Sequence, residues 1–307
     1  MNEKKTQTVL ITGAGGFLAS ELIKQLSETR DSQIMALTSN KDNLLRMFDF
    51  DKRILCFDIE DWKNMKLPWK KINTIVHCAF ARTSYGGDVA KSLNFTNELF
   101  QEALKEEVPS IINISSRSVY GQAQNTPWTE KTMVDPESLY ALAKYSSEII
   151  TNNIGGFSKN KTRTTNIRLG SLIGNCSNQR ITTKFVNNAI RNQTIQIVGG
   201  KQVFSYLDVR DAAAGIIALL SFDSSQWKKV YNLGSNDSYG IIEVANIVVE
   251  TAKYYTNNQI KIEIDEKEIH LDAEMDSSLF YNDTQWEPRY KLKDTIESLF
   301  KYLIKQM

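Results

Sequence analysis

The fold is decided by the stretch Thr12-Gly13-Ala14-Gly15-Gly16-Phe17-Leu18-Ala19, which follows an apolar run at Thr8–Thr12 and opens an amphipathic pattern at Phe17–Ser27. One glycine lets the chain turn sharply out of a strand, and another lets the backbone approach a pyrophosphate closely. The helix that follows presents free N–H groups and a partial positive charge to the phosphates. The alternative is a tight structural turn, but the position at the first strand–helix junction predicts a dinucleotide site that includes Gly13, Gly16, Phe17 and Leu18.

Short apolar runs alternate with amphipathic stretches through the first half of the chain. The runs are Thr8–Thr12, Gln33–Leu37, Ile54–Phe57, Thr74–Cys78, Ser110–Ser115 and Thr164–Leu169, and the amphipathic stretches are Phe17–Ser27, Val89–Glu106 and Ser138–Thr151. Near-continuous apolar strands separated by helices indicate a parallel sheet covered on both faces. With right-handed crossovers, the simplest fold is α/β, a Rossmann-type doubly wound parallel sheet.

The alternation becomes irregular in the second half of the chain. Helical patterns occur at Thr182–Ile190, Val209–Leu220, Ile241–Tyr254 and Leu292–Ile304, and β-type runs at Ile195–Val198, Val230–Leu233 and Gln259–Ile264. We therefore predict a dinucleotide-binding domain over residues 1–170, with parts of 204–235 completing its sheet. A smaller C-terminal substrate lobe is predicted over residues 171–203 and 236–307.

Composition limits the partners of the chain. Lys plus Arg number 37 and Asp plus Glu number 36, so a net charge of +1 creates no field that favours nucleic acid or an anionic membrane. Cys56, Cys78 and Cys176 are scattered, with no metal-type pairing, and we interpret them as buried free thiols in a reducing compartment. The apolar run after the polar start is too short for a signal peptide or a membrane span, which predicts a cytoplasmic protein.

The end of the second predicted strand bears on the choice of dinucleotide. Sites selective for NAD usually carry Asp or Glu there, about 20 residues after the glycine loop, to hold the ribose hydroxyls. This chain has Thr38-Ser39-Asn40-Lys41, with no acid to repel a 2′-phosphate. Lys41 is able to attract such a phosphate, although the alternative is a solvated surface charge. We therefore expect NADP to be preferred over NAD.

Two polar groups are candidates for acid–base chemistry. Tyr140 and Lys144 lie four residues apart in a helical pattern, so both side chains share one face of the helix. A neighbouring ammonium lowers the pKa of a phenol, which is otherwise near 10. The apolar run at Ser110–Ser115 leads into further hydroxyl residues at its carboxyl end, where ligands bind in open α/β sheets. A serine there is able to hydrogen-bond a reacting oxygen while Tyr140 exchanges its proton.

With these features together, the chain resembles the extended short-chain dehydrogenases/reductases of the NAD-dependent epimerase/dehydratase family over nearly its whole length. The resemblance rests on Thr-Gly-x-x-Gly-Phe at 12–17, Asp58-Ile59, Val76-His77-Cys78-Ala79, Asn94, Ser-Ser-x-x-Val-Tyr-Gly at 115–121, Tyr140-x-x-x-Lys144, Arg168 followed by Gly174, and Tyr231-Asn232-Leu233-Gly234.

The resemblance implies a role for individual residues. Ser116 matches the catalytic serine or threonine better than Ser115 does, Tyr140 matches the acid–base group, and Lys144 matches its electrostatic partner and ribose ligand. Asn94 would support the active-site hydrogen bonds; its alternative is a helix cap. The remaining cofactor contacts implied by the resemblance are Asp58 and Ile59 beside the adenosine, and Cys78, Ala79 and Arg82 along the dinucleotide. Ser39 and Lys41 are expected near the adenosine ribose because they follow the second strand. For Asp58 the alternative is a surface loop acid. His77 and His270 are interpreted as structural, and no metal is expected.

Family members reduce sugar ketones, epimerise sugars through a transient ketone, or dehydrate them. The family's 4,6-dehydratases carry Thr-Asp-Glu where this chain has Ser116-Arg117-Ser118, so dehydration of that type is not expected. The missing acid after the second strand favours a reductase that exchanges NADPH, with an NAD-dependent sugar-nucleotide epimerase as the alternative. A non-catalytic dinucleotide sensor is the alternative from another class, but such proteins often lose the tyrosine or the lysine.

The substrate is expected to be a nucleotide-activated sugar, with a small ketone or aldehyde as the rival. Nucleotide-sugar enzymes of the family commonly place a diphosphate-binding arginine before a Phe-x-x-Val-x-Asp segment. Phe204 occupies the expected position in this chain, but the arginine of the stretch, Arg210, comes later. Arg180, Lys184 and Lys201 are possible substitutes, or else solvated surface charges. The resemblance further implies a homodimer through helices at Val89–Glu106 and Ser138–Thr151.

Overall fold

The computed structural model describes residues 7–29, 32–82, 85–157, 162–175, 180–269 and 271–307. Cys176 and His270, interpreted above as a free thiol and a structural histidine, lie outside the described residues. Within them, no helix is both long and apolar enough to cross a membrane.

Strands and helices alternate along the first half of the chain, as the sequence predicts. The strands are β1 Gln7–Thr12, β2 Ser32–Leu37, β3 Ile54–Phe57, β4 Thr74–His77, β5 Ser110–Ser116, β6 Arg163–Leu169, β7 Ser171–Ile173, β8 Ile195–Val198, β9 Val203–Phe204, β10 Tyr206–Asp208, β11 Val230–Leu233, β12 Tyr239–Gly240, β13 Ile262–Asp265 and β14 Asp272–Ala273. The helices are α1 Phe17–Thr29, α2 Lys41–Met47, α3 Ile59–Lys63, α4 Gly86–Lys105, α5 Leu139–Phe157, α6 Ile181–Ile190, α7 Val209–Ser221, α8 Ile241–Ala252, α9 Ser278–Thr284 and α10 Leu292–Ile304.

The central sheet has seven strands in the order β11-β6-β5-β4-β1-β2-β3. β1 pairs in parallel with both β2 and β4, and β2 with β3 and β4 with β5 are parallel too. The order therefore reverses between β1 and β4, and this switch point is where doubly wound sheets bind ligands. Val9, Leu10 and Ile11 are fully buried, because helices cover both faces of such a sheet. The predicted Rossmann-type fold is confirmed.

The chain forms two compact units. The first comprises Met1–Gly121, Val134–Arg168 and Ala213–Tyr231, and the second comprises Gln122–Met133, Leu169–Ala212 and Asn232–Met307. One core cluster of the first unit includes Leu10, Met35, Phe100 and Ile111, from strands and from helix α4.

The second unit has its own core, built where helices α6, α8 and α10 pack together. Val186, Val244 and Ile296 are fully buried there, and the rings of Tyr255 and Phe300 stack at 5.3 Å. The apolar spacing of these helices predicts them well, but short pieces such as α2, α3, α9 and β14 have too few residues to produce a period.

A buried ion pair ties helix α5 to strand β6 within the first unit. Arg168 donates from Nε to Glu148 Oε1 at 3.0 Å and from Nη2 to Oε2 at 2.7 Å, while Ser115 Oγ donates to Oε1 at 2.5 Å. Burial opposes the charge of Arg168, but the hydrogen bonds and the charge of Glu148 outweigh it, so the pKa of the guanidinium is raised. The pair holds α5 against the strands whose ends carry the candidate site.

We expect Glu148→Gln to destabilise the fold by about 3 kcal/mol or more, because the Arg168 charge would stay buried without a counter-charge. Urea unfolding followed by circular dichroism measures this change. Glu102→Gln is the matched control: Glu102 pairs with the exposed Lys105 at 3.1 Å, and loss of such a pair costs about 0.5 kcal/mol. Equal losses in the two variants would contradict the assignment of Glu148 as a structural anchor.

Candidate functional site

The glycine loop between β1 and α1 lies against the end of β4. Gly13 has φ +65°, and a Cβ placed on it would come within 2.7 Å of Ala79 Cα and 2.8 Å of Ala79 N. No side chain fits between these two backbones, and residues with side chains rarely adopt that φ. Glycine at 13 is therefore required both by the turn and by the close approach of the two strand ends.

The loop leads directly into the first turn of α1. Gly16 N–H donates to Gly13 O at 2.8 Å, and Ser20 N–H donates to Gly16 O at 2.9 Å as the helix begins. N–H groups in the first turn of a helix, here those of Phe17, Leu18 and Ala19, have no carbonyl partner within the helix. They form an anion-binding end of the kind that holds a pyrophosphate. The loop thus fits a dinucleotide in both shape and charge.

A buried histidine fixes this geometry. Ala79 N–H donates to Thr12 Oγ1 at 3.3 Å, and Thr12 Oγ1 lies 2.8 Å from His77 Nδ1, to which it donates because the other nitrogen of the neutral ring carries the proton. On the other side, Thr96 donates to Ser92 O at 2.8 Å and therefore accepts from His77 Nε2 at 2.9 Å. Burial, and then the charge of Lys144, lower the pKa of His77 to about 3. The ring is neutral near pH 7 and serves as a structural link, the role expected for it.

Helix α5 carries Tyr140 and Lys144, one turn apart, beside strand β5. Lys144 is only 4% exposed, and its Nζ donates to Ile114 O at 2.7 Å, two residues before Ser116. The ring of Phe80 contacts both candidates: its centroid lies 4.1 Å from Lys144 Nζ and 6.1 Å from the Tyr140 ring. Phe80 was not singled out from the sequence, although its position just after β4 is the signal that points to the site.

The buried position of Lys144 disfavours the charged form of its side chain. Burial lowers the pKa of Lys144 to about 7, against opposing effects of Cys78 and Glu148. A nearby aromatic face offsets part of this cost, because the ring attracts a cation. Burial also raises the pKa of the Cys78 thiol to about 12, which keeps it protonated near neutral pH. The predicted place of Cys78 along the dinucleotide remains a prediction.

The two serines at the end of β5 differ in their surroundings. Ser115 is buried and donates to Glu148, so its hydroxyl belongs to the ion-pair network. Ser116 is half-buried, and its Oγ accepts from Ser118 N–H at 3.2 Å and Ser118 Oγ at 2.9 Å. A hydroxyl that accepts these bonds keeps its own proton for another partner. This arrangement supports the choice of Ser116 over Ser115.

The adenosine-side candidates lie at the ends of β2 and β3. Ser39 is exposed, and Lys41 begins α2, where its Nζ forms an ion pair with Asp61 at 2.8 Å. Asp58 is the N-cap of α3, accepting from Asp61 N–H at 2.8 Å, and Ile59 is the first residue of that helix. Lys41 is thus paired, and Asp58 is a helix cap, not the surface loop acid that was its alternative. Sequence reasoning missed Asp61.

Two further candidates lie in exposed positions. Asn94 is on the exposed face of α4, and Arg82 is exposed in the segment after β4. The α4 side chain that contacts this segment is Ser92, whose Oγ accepts from Ala81 N–H at 3.0 Å. Ser92 was missed because only the fold brings it to the segment. The proposed support by Asn94 remains a prediction.

In the second unit, Arg210 is engaged in structural contacts. It donates from Nη2 to Asp208 Oδ2 at 2.6 Å, and its Cζ lies 3.6 Å from the centre of the Tyr290 ring. Lys184 and Lys201 are exposed, and Arg180 is half-buried at the start of α6. Arg210 is therefore less accessible than Lys184 and Lys201, and the binding of a diphosphate by any of these side chains remains a prediction.

We expect the pH dependence of stability to reveal Lys144. Its pKa is about 7 in the folded chain against an ordinary 10.5, so between these values the unfolded chain binds a proton that the folded chain does not. The free energy of unfolding, measured against Lys144→Met, should therefore rise from about pH 7 to about pH 10. Urea titrations at both pH values test this, with the exposed Lys253→Met as control. A constant difference between wild type and Lys144→Met would contradict it.

The chain is similar to several known proteins over nearly its whole length. The putative UDP-glucose 4-epimerase of Methanocaldococcus jannaschii is 26% identical over 318 residues, which cover 96% of this chain and 98% of that protein. The dTDP-4-dehydro-6-deoxyglucose reductase of Escherichia coli is 24% identical over 318 residues, covering 95% and 96%. The crystal structure of dTDP-glucose 4,6-dehydratase from Bacillus anthracis in complex with NAD superposes with a TM-score of 0.81 at 19% identity, over 97% of each chain.

The sequence model of one protein family matches residues 9–234, which extend from β1 to one residue beyond the end of β11. This span contains the glycine loop, the His77 link, Ser116 and the Tyr140–Lys144 helix. The chain belongs to the NAD-dependent epimerase/dehydratase family.

Proposed function

We propose that this chain is an NAD(P)-dependent oxidoreductase of the sugar-nucleotide epimerase/reductase type that reduces a keto group of a nucleotide-activated sugar. The observation that carries the proposal is the placement of Tyr140 and Lys144 on one turn of α5, with Lys144 bonded to strand β5 just before Ser116. These are the groups needed to polarise a carbonyl and to supply a proton.

The chain's own residues suggest how the reaction proceeds. The bound dinucleotide supplies the hydride. Ser116 donates its hydroxyl proton in a hydrogen bond to the carbonyl oxygen, and Tyr140 transfers a proton to that oxygen as charge develops on it. The Lys144 ammonium stabilises the phenolate left on Tyr140, and hydroxyls of a bound ribose would add acceptors to the one that Ile114 O provides.

The cofactor would lie along residues of the first unit. The N–H groups that open α1 hold the pyrophosphate, and Gly13 and Gly16 allow it to approach. We propose that Ser39, Lys41, Asp58 and Ile59 contact the adenosine half, and that Cys78, Ala79 and Arg82 line the remainder. The absence of an acid at 38–40 supports NADP, but the pairing of Lys41 with Asp61 reduces the charge available to a 2′-phosphate.

The identity of residues 116–118 favours reduction of a keto group over dehydration of the sugar. Arg117 and Ser118 stand where an elimination of the 4,6-dehydratase type needs two acids, and Ser118 instead donates to Ser116. Epimerisation is the second candidate, because the M. jannaschii relative is named as a putative epimerase. The aligned B. anthracis dehydratase structure contains NAD, which is also the cofactor of the epimerase alternative. The nucleotide sugars in the names of all three comparisons support that substrate class over a small ketone.

We propose that the chain acts as a homodimer through the α4–α5 pair. Leu139, Leu142 and Ile149 on α5 are 44%, 51% and 47% exposed, although the helix packs against both α4 and β5. Burying such an apolar stripe against a second copy is favourable. A cytoplasmic location is also proposed, which the free thiols of Cys56 and Cys78 support.

Replacing Tyr140 by Phe should lower turnover by about a hundredfold or more, because the proton donor is lost. Dinucleotide affinity, measured by nicotinamide fluorescence, should stay near that of wild type. Tyr145→Phe, on the same helix, is the control and should retain turnover. Unchanged turnover in Tyr140→Phe would remove Tyr140 from the mechanism, and wild-type binding without turnover of any keto sugar nucleotide would favour a sensor.

The state of the purified protein should distinguish the two candidate reactions. A reductase exchanges its cofactor every cycle, so we expect protein that purifies without bound dinucleotide and binds NADPH more tightly than NADH in fluorescence titrations. An epimerase returns the hydride to its substrate, so NAD or NADH that copurifies and resists dialysis would make epimerisation the leading function.

A further inference from the structure

Lys41 is paired with a carboxylate, that of Asp61, which comes from outside the segment that usually supplies an acid to this part of the site. In dinucleotide sites an acid after the second strand selects against a 2′-phosphate, and a basic residue there accommodates one. After β2 this chain offers only Lys41 as a charged residue at 38–41. Strand β3 is the neighbour of β2 in the sheet, and helix α3 directly follows β3. Asp61 on α3 therefore faces the same sheet edge.

Asp61 is held firmly in this position. Its Oδ2 accepts from Lys41 Nζ at 2.8 Å, and its Oδ1 accepts from Lys66 Nζ at 2.9 Å. Asp58 and Asp61 also cap each other: each side chain accepts from the backbone N–H of the other. The Asp61 side chain is 11% exposed, whereas that of Lys41 is 38% exposed. Asp61 is thus held in place by its hydrogen bonds, whereas Lys41 is the member of the pair that a ligand from solvent is able to contact.

The charges of the pair persist at any pH near neutrality. The hydrogen bonds from Lys41 and Lys66 hold the pKa of Asp61 well below its usual range. The hydrogen bond to Asp61 in turn raises the pKa of Lys41. A 2′-phosphate that approached Lys41 would meet an ammonium already bonded to a carboxylate, and it would be repelled by that carboxylate at short range.

We propose that Asp61 sets the preference of this chain between NADPH and NADH by holding Lys41 in an ion pair with which a 2′-phosphate must compete. Asp61 thereby acts as a specificity-determining residue, in place of the acid that is absent after β2. The inference rests on the proposed binding of the dinucleotide at the β1–α1 loop. It makes the preference for NADPH weaker than the sequence at 38–41 alone indicates.

The test is Asp61→Asn, which keeps the size of the side chain and an oxygen able to accept from Asp58 N–H. Fluorescence titration should show an affinity for NADPH raised about fivefold, with the affinity for NADH changed less than about twofold. Glu60→Gln is the matched control, since Glu60 is on the same helix, pairs with an exposed lysine, and is 75% exposed; both affinities should stay constant. Adding Lys41→Met to Asp61→Asn should abolish the gain.

An unchanged ratio of the two affinities in Asp61→Asn, or an equal loss of both, would overturn the proposal and leave Asp61 as a helix cap. Should Asp61→Asn fail to fold, Lys41→Met alone decides. Because Lys41 is engaged by Asp61, the proposal predicts a loss of NADPH affinity below about threefold, and any larger loss would overturn it. A wild-type chain that binds neither dinucleotide would instead refute the proposed function.

Discussion

The hydrogen bond between Thr12 and His77 fixes the ends of two adjacent parallel strands with respect to each other. Parallel pairing already aligns β1 and β4 along their length, but it leaves the path of the chain beyond each strand undetermined. The Thr12 hydroxyl, shared between His77 Nδ1 and Ala79 N–H, determines both paths at once. Gly13 then lies against the backbone of Ala79 with no room for a side chain, and α1 begins at the place where a pyrophosphate would bind.

The same link extends into the acid–base half of the site. Phe80 follows Ala79, and its ring lies over the Lys144 ammonium and beside Tyr140. On the opposite side, Lys144 bonds to Ile114 O, and α5 is anchored by Glu148 and Arg168. A lysine with a pKa near 7 is held where burial disfavours its charge. Strongly perturbed groups of this kind concentrate at functional sites, because stability there is exchanged for reactivity.

The sequence predicted what depends on local periodicity. The buried strand β1 and the long helices α4 and α5 appear at the predicted places, because burial of one face imposes a repeat over many residues. Contacts between segments distant in the chain were not predictable. Lys41 and Asp61 are 20 residues apart, and neither segment alone indicates that the lysine is paired. The contacts of Phe80 with Tyr140 and Lys144 likewise form only when α5 packs beside β5.

The candidate site shows the same division. Tyr140 and Lys144 were predictable because a spacing of four residues on a helix fixes their relation, and the glycine loop because its position at a strand–helix junction has a physical purpose. The family resemblance already favoured Ser116 over Ser115, but the physical reason was not predictable: Ser115 is bonded to the buried Glu148, 33 residues away. Ser92 could be distinguished from Asn94 only by the way α4 turns toward the segment after β4.

A histidine that stays neutral in the folded chain has a consequence for enzymology. The pKa of His77 is about 3. The histidine that links Thr12 to helix α4 therefore does not change its protonation state across the pH range in which most rates are measured. His77 supports the glycine loop in the same neutral form throughout this pH range. A pH–rate profile above about pH 5 therefore contains no inflection from the titration of His77 itself.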